Sequence, residues 1–343
     1  MEACTVAALD RGAAARAAIL AALPETAATA SVIDRIVGPA LVGIVADAPD
    51  AAAEVTSFGA PCAGPAASLI VPFGRERALL LARAGALRDA ASSIELIHVL
   101  DRPAARAGAE RGLAGLWKTF GLPGRLVCLP PGGDPAASIA KAASLARGDR
   151  LVFLSDWSIP AGAGGVQPLL DAFDDAPEIG LCGARVLGAD GSIRGAGLEL
   201  MTDDAGLLSL DAPSRGLPGD FPAANAARDV FAVGDAALAI RRDLFEAIGG
   251  FAAGYATADW RAADLAARVR AAGARVRYVP SATATDFADR SAPRRAVALR
   301  ADGWRFARAW SSRLADWTGT AAPVPPDGAA AESAATDSAR WAA

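Results

Sequence analysis

Short apolar runs alternate with amphipathic stretches through the middle of the chain. The apolar runs span residues 68–72, 94–100, 125–129 and 150–154. Each is closed by proline or by polar residues, as buried strands are. Leucine and alanine at helical spacing predict helices over residues 75–90 and 135–146. This alternation predicts an α/β fold with a mostly parallel sheet and helices on both faces.

The second half of the chain predicts a hairpin and further helices. Residues 179–187 and 192–199 flank a glycine-containing turn, which favours a β-hairpin. A helix is predicted to end at Gly249, because glycine is common just past a helix C-terminus. An alanine-rich helix over residues 260–272 then precedes a strand at 275–279.

These patterns divide the chain into four segments. They are an alanine-rich helical or irregular segment (1–63), the α/β domain (64–291), a C-terminal helix (292–319) and a disordered tail (320–343). The aromatic residues of the C-terminal helix are Trp304, Phe306, Trp310 and Trp317. Their spacing predicts a packing face. The tail is rich in proline, alanine, serine and acidic residues, which cannot build a core.

Composition excludes several classes of protein. Alanine supplies much of the 53% apolar content, and the most apolar stretch (36–46) is about half as long as a membrane-spanning helix. Glu2 and Asp10 lie where a secretory signal would carry basic residues. We therefore expect no transmembrane segment and a cytoplasmic location, free or peripheral to a membrane. A net charge of −4 with interspersed signs argues against nucleic acid as a partner.

Ligands of parallel sheets bind at the carboxyl ends of the strands, so the residues that follow the predicted strands are candidate binding residues. They are Pro72, Phe73, Gly74 and Arg75 after the first strand, Asp101 after the second, and Ser155, Asp156 and Trp157 after the fourth. Asp101 could accept hydrogen bonds from a base or ribose, or it could initiate the turn before Pro103.

Several segments together carry a resemblance to a known family. They are residues 68–75 (SLIVPFGR), 95–101 (ELIHVLD), 146–149 (ARGD), 190–193 (DGSI), 239–245 (AIRRDLF), 249–251 (GGF) and 264–265 (DL) with Arg268 and 278–280 (YVP). In this order they resemble the family 2 glycosyltransferases, enzymes of the GT-A fold. The resemblance implies a nucleotide-diphosphate sugar as the ligand of the candidate residues and a glycan or polysaccharide as the acceptor.

The positions that would carry the chemistry are substituted. The resemblance places an acidic metal-binding motif at residues 155–157, where Asp156 is the one acidic residue. It places a general base at Ala262 and a metal-binding histidine near Thr285 or Asp286. Members of the family would use Mg²⁺ or Mn²⁺. These substitutions predict that metal binding is weak or absent, with Asp156 as the remaining candidate ligand.

Two explanations stay open. The chain is either a domain that has lost transfer activity or an enzyme with a rebuilt site, in which Asp259, Asp264, Asp156 or Asp235 supplies the base and Arg75, Arg77, Lys141 or Arg268 neutralises phosphate. Asp259 could instead cap a helix, and Asp264 could pair within it. Trp157 could stack on a ligand, although filling the space of the absent metal is the preferred interpretation. His98 is expected to be a packed strand residue.

A rival function is a non-catalytic scaffold or regulatory subunit of a glycan-synthesis complex. In that case the N-terminal segment and the C-terminal helix would contact the partner protein. A dinucleotide-dependent oxidoreductase is disfavoured, because the required glycine fingerprint does not follow the first strand.

Overall fold

The computed structural model describes residues 53–60, 63–74, 77–88, 93–130, 134–161, 165–202, 208–288 and 293–318. The strands are β1 (Glu54–Phe58), β2 (Ala67–Pro72), β3 (Ile94–Leu100), β4 (Gly124–Cys128), β5 (Arg150–Leu154), β6 (Ser158–Pro160), β7 (Ile179–Leu187), β8 (Ile193–Gly195), β9 (Glu199–Thr202), β10 (Leu208–Asp211), β11 (Arg228–Asp229), β12 (Ala237–Arg241) and β13 (Arg275–Asp286). The helices are α1 (Arg77–Leu87), α2 (Arg106–Phe120), α3 (Pro135–Ser144), α4 (Gln167–Asp175), α5 (Arg242–Ala247), α6 (Ala258–Ala271), α7 (Pro293–Ala309) and α8 (Leu314–Thr318). The predictions for residues 1–52, for Arg75 and for the tail from residue 320 lie outside the described residues.

Four neighbouring strands, in the order β4, β3, β2 and β5, form a parallel half of the main sheet. β2 pairs with β3 on one side and with β5 on the other, and β3 pairs with β4. The predicted adjacency of the strands that end at Pro72, Leu100 and Leu154 is therefore confirmed. Because these strands are parallel, their carboxyl ends lie at one edge of the sheet.

The other half of the sheet is mixed. β12 joins β5 to β7 by antiparallel pairing, whereas β7 and β13 are parallel. β11 and β6 both run antiparallel to β13. β8 pairs antiparallel with β7, which confirms the predicted hairpin.

Helices cover both faces of the sheet, as predicted. Leu69 and Val71 of β2 belong to the buried cluster that includes residues of α1, α2 and α4 on one face, whereas Ile70 belongs to the cluster with α3, α6 and α7 on the other. This alternation follows from the two-residue period of a strand, and burial on both faces explains the continuous apolar runs in the sequence. In the described part of the chain, no helix combines the length and apolarity needed to cross a membrane.

The edge strand β1 joins the main sheet although it precedes residue 64, where the sequence predicts the α/β domain to begin. β1 lies in the segment assigned to the N-terminal appendage, yet it pairs antiparallel with β4 along its whole length. Glu54 forms an ion pair with Arg106, and Thr56 donates to Glu110 of α2 (3.3 Å). The strand is mostly exposed and mixes polar with apolar residues, so it carries no apolar run that would mark it in the sequence.

The aromatic residues of the C-terminal helices pack against the core of the same chain. Phe306 is fully buried, and its ring centroid lies 5.1 Å from that of Trp260 on α6. Trp317 lies 5.3 Å from Trp310 and 5.6 Å from Phe231. The predicted packing face is confirmed. These ring contacts lie within the chain, and a partner-binding role of the C-terminal helix stays a prediction.

A buried carboxylate ties together the amino ends of the parallel strands. Glu95 of β3 is 4% exposed and accepts from Ser68 Oγ of β2 (2.7 Å), Arg125 of β4 (2.6 Å) and Arg147 Nε before β5 (2.7 Å). Burial alone would raise the pKa of Glu95. The hydrogen bonds from Ser68 and Arg147 and the charge of Arg125 outweigh burial and lower it.

We expect this carboxylate to make stability depend on acid pH. A carboxyl group whose pKa is lower in the folded than in the unfolded state stabilises the fold at pH values above the unfolded-state pKa. This contribution is lost as the pH falls through the folded-state pKa. Glu95→Gln should therefore lower the free energy of unfolding at pH 7 by about 1–3 kcal/mol. Urea denaturation at pH 7 and pH 3.5 should show a smaller difference for this variant than for the wild type. Glu246→Gln, at an exposed position on α5, is the matched control. An equal acid dependence in wild type and Glu95→Gln would contradict the prediction.

Candidate functional site

The loops that follow β2, β3 and β5 meet at the carboxyl edge of the parallel strands. The Phe73 N–H donates to Val99 O (2.7 Å), and Arg102 Nη2 donates to Phe73 O (2.9 Å). On the other side, a Cβ added at Gly74 would lie 3.0 Å from Asp156 Cβ and 3.1 Å from Oδ2. The structure thus brings Pro72, Phe73 and Gly74 between the loops of Asp101 and Asp156. A side chain at position 74 would crowd Asp156, so this close approach favours glycine there.

A buried arginine that the sequence analysis did not single out holds the loop after β5. Arg83 of α1 is 3% exposed and donates to three backbone carbonyls, those of Ser158 (Nε, 2.9 Å), Asp156 (Nη2, 2.9 Å) and Ser155 (Nη2, 3.2 Å). Burial lowers the pKa of Arg83 to about 10, and the charge of Asp156 partly offsets that effect. At this pKa the guanidinium group stays charged at neutral pH, so a fixed cation lies behind the loop.

Asp156 lies in a mixed electrostatic environment. Burial raises the pKa of its carboxyl group, Arg83 and Arg102 oppose that shift, and Asp235 adds to it. Asp235 precedes β12, and the neighbouring Ala236 O accepts from the Ser155 N–H (3.2 Å). Asp235 therefore reaches the same edge of the sheet as Asp156, as the alternative of a rebuilt site requires.

The start of α6 is capped by Thr257 rather than by Asp259. The Thr257 hydroxyl accepts from the Trp260 N–H, and the Asp302 carboxylate of α7 in turn accepts from the Thr257 N–H (2.7 Å) and hydroxyl (2.6 Å). Asp259 lies in the first turn and is half-buried. The alternative that Asp259 is the N-cap is therefore wrong, because Thr257 is the residue with the extended backbone of a cap.

Arg261 and Ala262, which occupy the positions of the missing acidic pair, have different surroundings, one among carboxylates and the other in the apolar core. Burial lowers the pKa of Arg261, and four carboxylates, Asp235, Asp134, Asp302 and Asp259, oppose that shift. Ala262 is completely buried in the core. In this chain the expected base position is therefore enclosed as well as substituted.

Asp264 takes part in a buried hydrogen-bond network. It is 2% exposed, and its Oδ2 accepts from Arg268 Nε one helical turn later (2.7 Å). Its Oδ1 accepts from the Tyr255 hydroxyl (3.1 Å) and from Trp310 Nε1 (2.9 Å). These contacts favour the structural interpretation of Asp264 and also occupy Arg268, one of the candidate phosphate ligands.

Trp157 does not fill an internal space, contrary to the preferred interpretation. The residue is 37% exposed, because it stands on the turn between β5 and β6. Asp101 is also exposed and lies 3.7 Å from Arg102 Nε. Both side chains are thus accessible at the edge where the sequence predicts binding.

His98 is a packed strand residue, as expected. It is 1% exposed, and neither ring nitrogen has a hydrogen-bond partner among the described residues. Burial, with a smaller contribution from Arg83, lowers the pKa of His98 to about 3, so the ring is neutral. Its ring contacts Phe73 edge-on at 5.9 Å between centroids and supports the loop after β2.

The donor set among the described side chains of this edge does not fit a divalent cation. Among the described residues, no group of three or more His, Cys, Asp or Glu side chains could hold a metal ion. Asp156 interacts with Arg83 and Arg102, and Trp157 supplies an indole where the resemblance implies a carboxylate. Hard cations need more oxygen ligands than the described residues of this edge offer.

Arg83 and the cap residue Asp134 were not predicted from the sequence. Arg83 lies in a leucine- and alanine-rich helix, and no sequence signal marks its burial. Asp134 caps α3 by accepting from the Ala136 N–H (2.7 Å), and it also accepts from the Gly254 N–H (2.6 Å). The Asp-Pro pair that begins a predicted helix could have revealed this cap.

Comparisons with known proteins give likenesses of structure alone. No family model matches the chain, and neither does any curated protein. One similar solved structure is GalNAc-T7 with UDP, GalNAc and Mn²⁺, at 14% identity and a TM-score of 0.49, covering 65% of this chain and 44% of that protein. Another is the mannosyltransferase PcManGT from Pyrobaculum calidifontis in complex with GDP-Man and Mn²⁺, at 15% identity and a TM-score of 0.44, covering 96% of this chain and 92% of that protein. At these values neither match assigns an activity to this chain.

Proposed function

We propose that this chain is a GT-A-like protein, resembling the family 2 glycosyltransferases, that binds a nucleotide-diphosphate sugar at the carboxyl edge of β2, β3 and β5. The observation that carries the proposal is the convergence of three loops, in which Gly74 lies against Asp156 and Arg102 holds Phe73. These loops are the ones that the sequence resemblance assigns to nucleotide binding.

Each group at this edge has a chemical role in the proposal. Phe73 offers a ring to the base, and Asp101 accepts hydrogen bonds from the base or ribose. Arg102 is 36% exposed and within reach of a diphosphate, for which a planar guanidinium is a suitable partner. Mg²⁺ or Mn²⁺ would stabilise the leaving diphosphate in the family, but the residues here do not fit the ion, so no step depends on it.

Transfer to a glycan acceptor is the finer part of the proposal. It requires a base to deprotonate the acceptor hydroxyl, and Asp235 and Asp259 are two half-buried carboxylates near the start of α6. Asp259 is the substitute that the sequence favours, whereas Asp235 also interacts with Asp156.

A second candidate function is binding without transfer, as a subunit of a glycan-synthesis complex. The observation that favours it is the complete burial of Ala262, which leaves the family's base position closed. General-base assistance is worth about 10²- to 10⁴-fold in rate, so its loss without replacement would leave little turnover.

Calorimetric titration with UDP, GDP and their sugars, with and without Mn²⁺, tests the proposal. We expect binding that is nearly independent of Mn²⁺, because one carboxylate and an indole replace the metal motif. Arg102→Met should weaken binding about tenfold, since a hydrogen bond to a charged group is lost. Arg111→Met, at an exposed position on α2, is the matched control.

Three outcomes are decisive. A strong Mn²⁺ requirement would contradict the assignment of residues 155–157, and no binding to any nucleotide would refute the function. Product analysis of the same samples separates the two candidates. Transfer that Asp259→Asn or Asp235→Asn abolishes in a folded protein would establish a relocated base and exclude the binding-only alternative.

A further inference from the structure

Two exposed aromatic residues lie at opposed backbone positions beside the proposed site. β6 and β13 pair antiparallel, with Ser158 opposite Asp286. One step beyond this pair, the Phe287 N–H donates to Trp157 O (3.0 Å). Directly opposed residues of an antiparallel pair project their side chains to the same face. Trp157 and Phe287 therefore occupy opposed positions and project their side chains to the same face.

Both rings are open to solvent, in contrast to the residues next to them. Trp157 is 37% exposed and Phe287 is 40% exposed, whereas the neighbouring pair Ser158 and Asp286 is fully buried. This alternation is that of a strand pair with one buried and one solvated face. The buried pair anchors the backbone, so the aromatic pair is presented on an ordered support.

Trp157 and Phe287 lie where the resemblance implies metal ligands. The resemblance places the last acidic residue of the metal motif at position 157 and a metal-binding histidine near residues 285 and 286. The observed register brings these two regions face to face, but with an indole and a phenyl ring. Neither ring offers an oxygen or nitrogen ligand to a hard cation, whereas both offer an apolar face.

We propose that Trp157 and Phe287 form a stacking platform for a pyranose ring of a neutral glycan. The face of a pyranose that carries axial C–H groups is apolar, and its edge carries hydroxyl groups. The two aromatic rings would contact the apolar face of the pyranose. The adjacent Ser155 hydroxyl and Asp156 carboxylate would accept hydrogen bonds from the hydroxyl groups at its edge. The location of this platform beside a donor site depends on the proposed function, but its stacking chemistry does not.

Sheet order argues for a sugar rather than a base on this platform. The proposed base contacts, Phe73 and Asp101, follow β2 and β3, whereas Phe287 follows β13, which is separated from β5 by β12 and β7. Two of the carboxylates at this edge, Asp156 and Asp235, repel each other, since each raises the free energy of a second negative charge. A neutral polyhydroxylated ring adds no third negative charge beside these two carboxylates.

The test is calorimetric titration of the full-length protein with cellohexaose, mannohexaose and uridine, followed also by tryptophan fluorescence. We expect at least one hexasaccharide to bind, and Trp157→Ala and Phe287→Ala each to weaken that binding about two- to tenfold. Trp157→Phe should retain most of the affinity. Trp117→Ala is the matched control, because Trp117 is also 37% exposed but lies on α2.

The outcomes separate this platform from the nucleotide site. Hexasaccharide binding that is unchanged in Trp157→Ala overturns the platform, and so does the absence of any hexasaccharide binding. Uridine binding that depends on Trp157 overturns the assignment of a sugar. A parallel titration with UDP tests the proposed function by itself. If the wild-type protein binds a hexasaccharide in a Trp157-dependent way but does not bind UDP, the nucleotide site is refuted and the platform is established.

Discussion

Replacing Ala262 with aspartate is expected to lower the free energy of unfolding by about 3–5 kcal/mol, the range for a buried charge without a partner. Ala262 is completely buried among apolar residues of α6 and the sheet. A carboxylate there would lose its hydration without gaining a cation, because Arg261 already interacts with four aspartates. Urea denaturation at pH 7 measures the change.

The pH dependence of the variant has a definite sign. Burial would raise the pKa of the new carboxyl group above its unfolded value. The unfolded state then releases its proton first as pH rises, so the variant should lose stability relative to wild type between about pH 4 and pH 7. Ala82→Asp, at an exposed position inside α1, is the matched control and should cost only about 0.5–0.7 kcal/mol of helix propensity.

The contrary result would be informative. If Ala262→Asp is as stable as Ala82→Asp at neutral pH, position 262 opens to the cleft and the family's base could be restored there. If Ala262→Asp is less stable than Ala82→Asp, the triple change Arg261→Glu, Ala262→Asp and Trp157→Asp cannot rebuild the site, because position 262 is closed to the cleft. Arg261→Glu would destabilise the protein further, since it places a fifth carboxylate among the four that now interact with Arg261. Loss of the base would then be a property of the packing.

The parallel half of the sheet and its binding edge could be predicted from the sequence because burial on both faces leaves a direct signal. β2, β3 and β5 are almost entirely buried, and their apolar runs end where the strands end. The candidate residues at the strand ends then follow from the parallel topology. β1 left no such signal, since it is mostly exposed and mixes polar with apolar residues, and its pairing with β4 is a tertiary contact.

Charges at the site were less predictable than strands. The sequence marked Arg261 and Ala262 as substitutions, but it did not indicate that one would be surrounded by four aspartates and the other enclosed in the core. Trp157 was expected to fill space and is instead exposed, because its surroundings depend on the register between β6 and β13. Pairings between segments over one hundred residues apart are not encoded in local patterns.

Arg83→Met should be strongly destabilising and should act on the candidate site. Arg83 donates to the carbonyls of Ser155, Asp156 and Ser158, and methionine would leave these groups without their buried donor. It would also remove the cation that opposes the raised pKa of Asp156. Breaking a buried charge network of this kind costs about 3–5 kcal/mol in unfolding free energy. Urea denaturation gives that change, and hydrogen exchange of the Ser158 and Trp157 amides reports on the loop directly.

Two further variants decide whether the geometry or only the charge of Arg83 matters. Arg83→Lys keeps the charge but cannot serve three carbonyls with a planar fork, so it should fall between wild type and Arg83→Met. Arg111→Met removes an exposed guanidinium from α2 and should change stability by less than about 0.5 kcal/mol. If Arg83→Met instead unfolds at the same urea concentration as wild type, with unchanged exchange in the loop, the loop after β5 keeps its shape without the buried cation. The carboxyl edge would then be organised by Gly74 and the pairing of β6 with β13, and the position of Asp156 would not depend on α1.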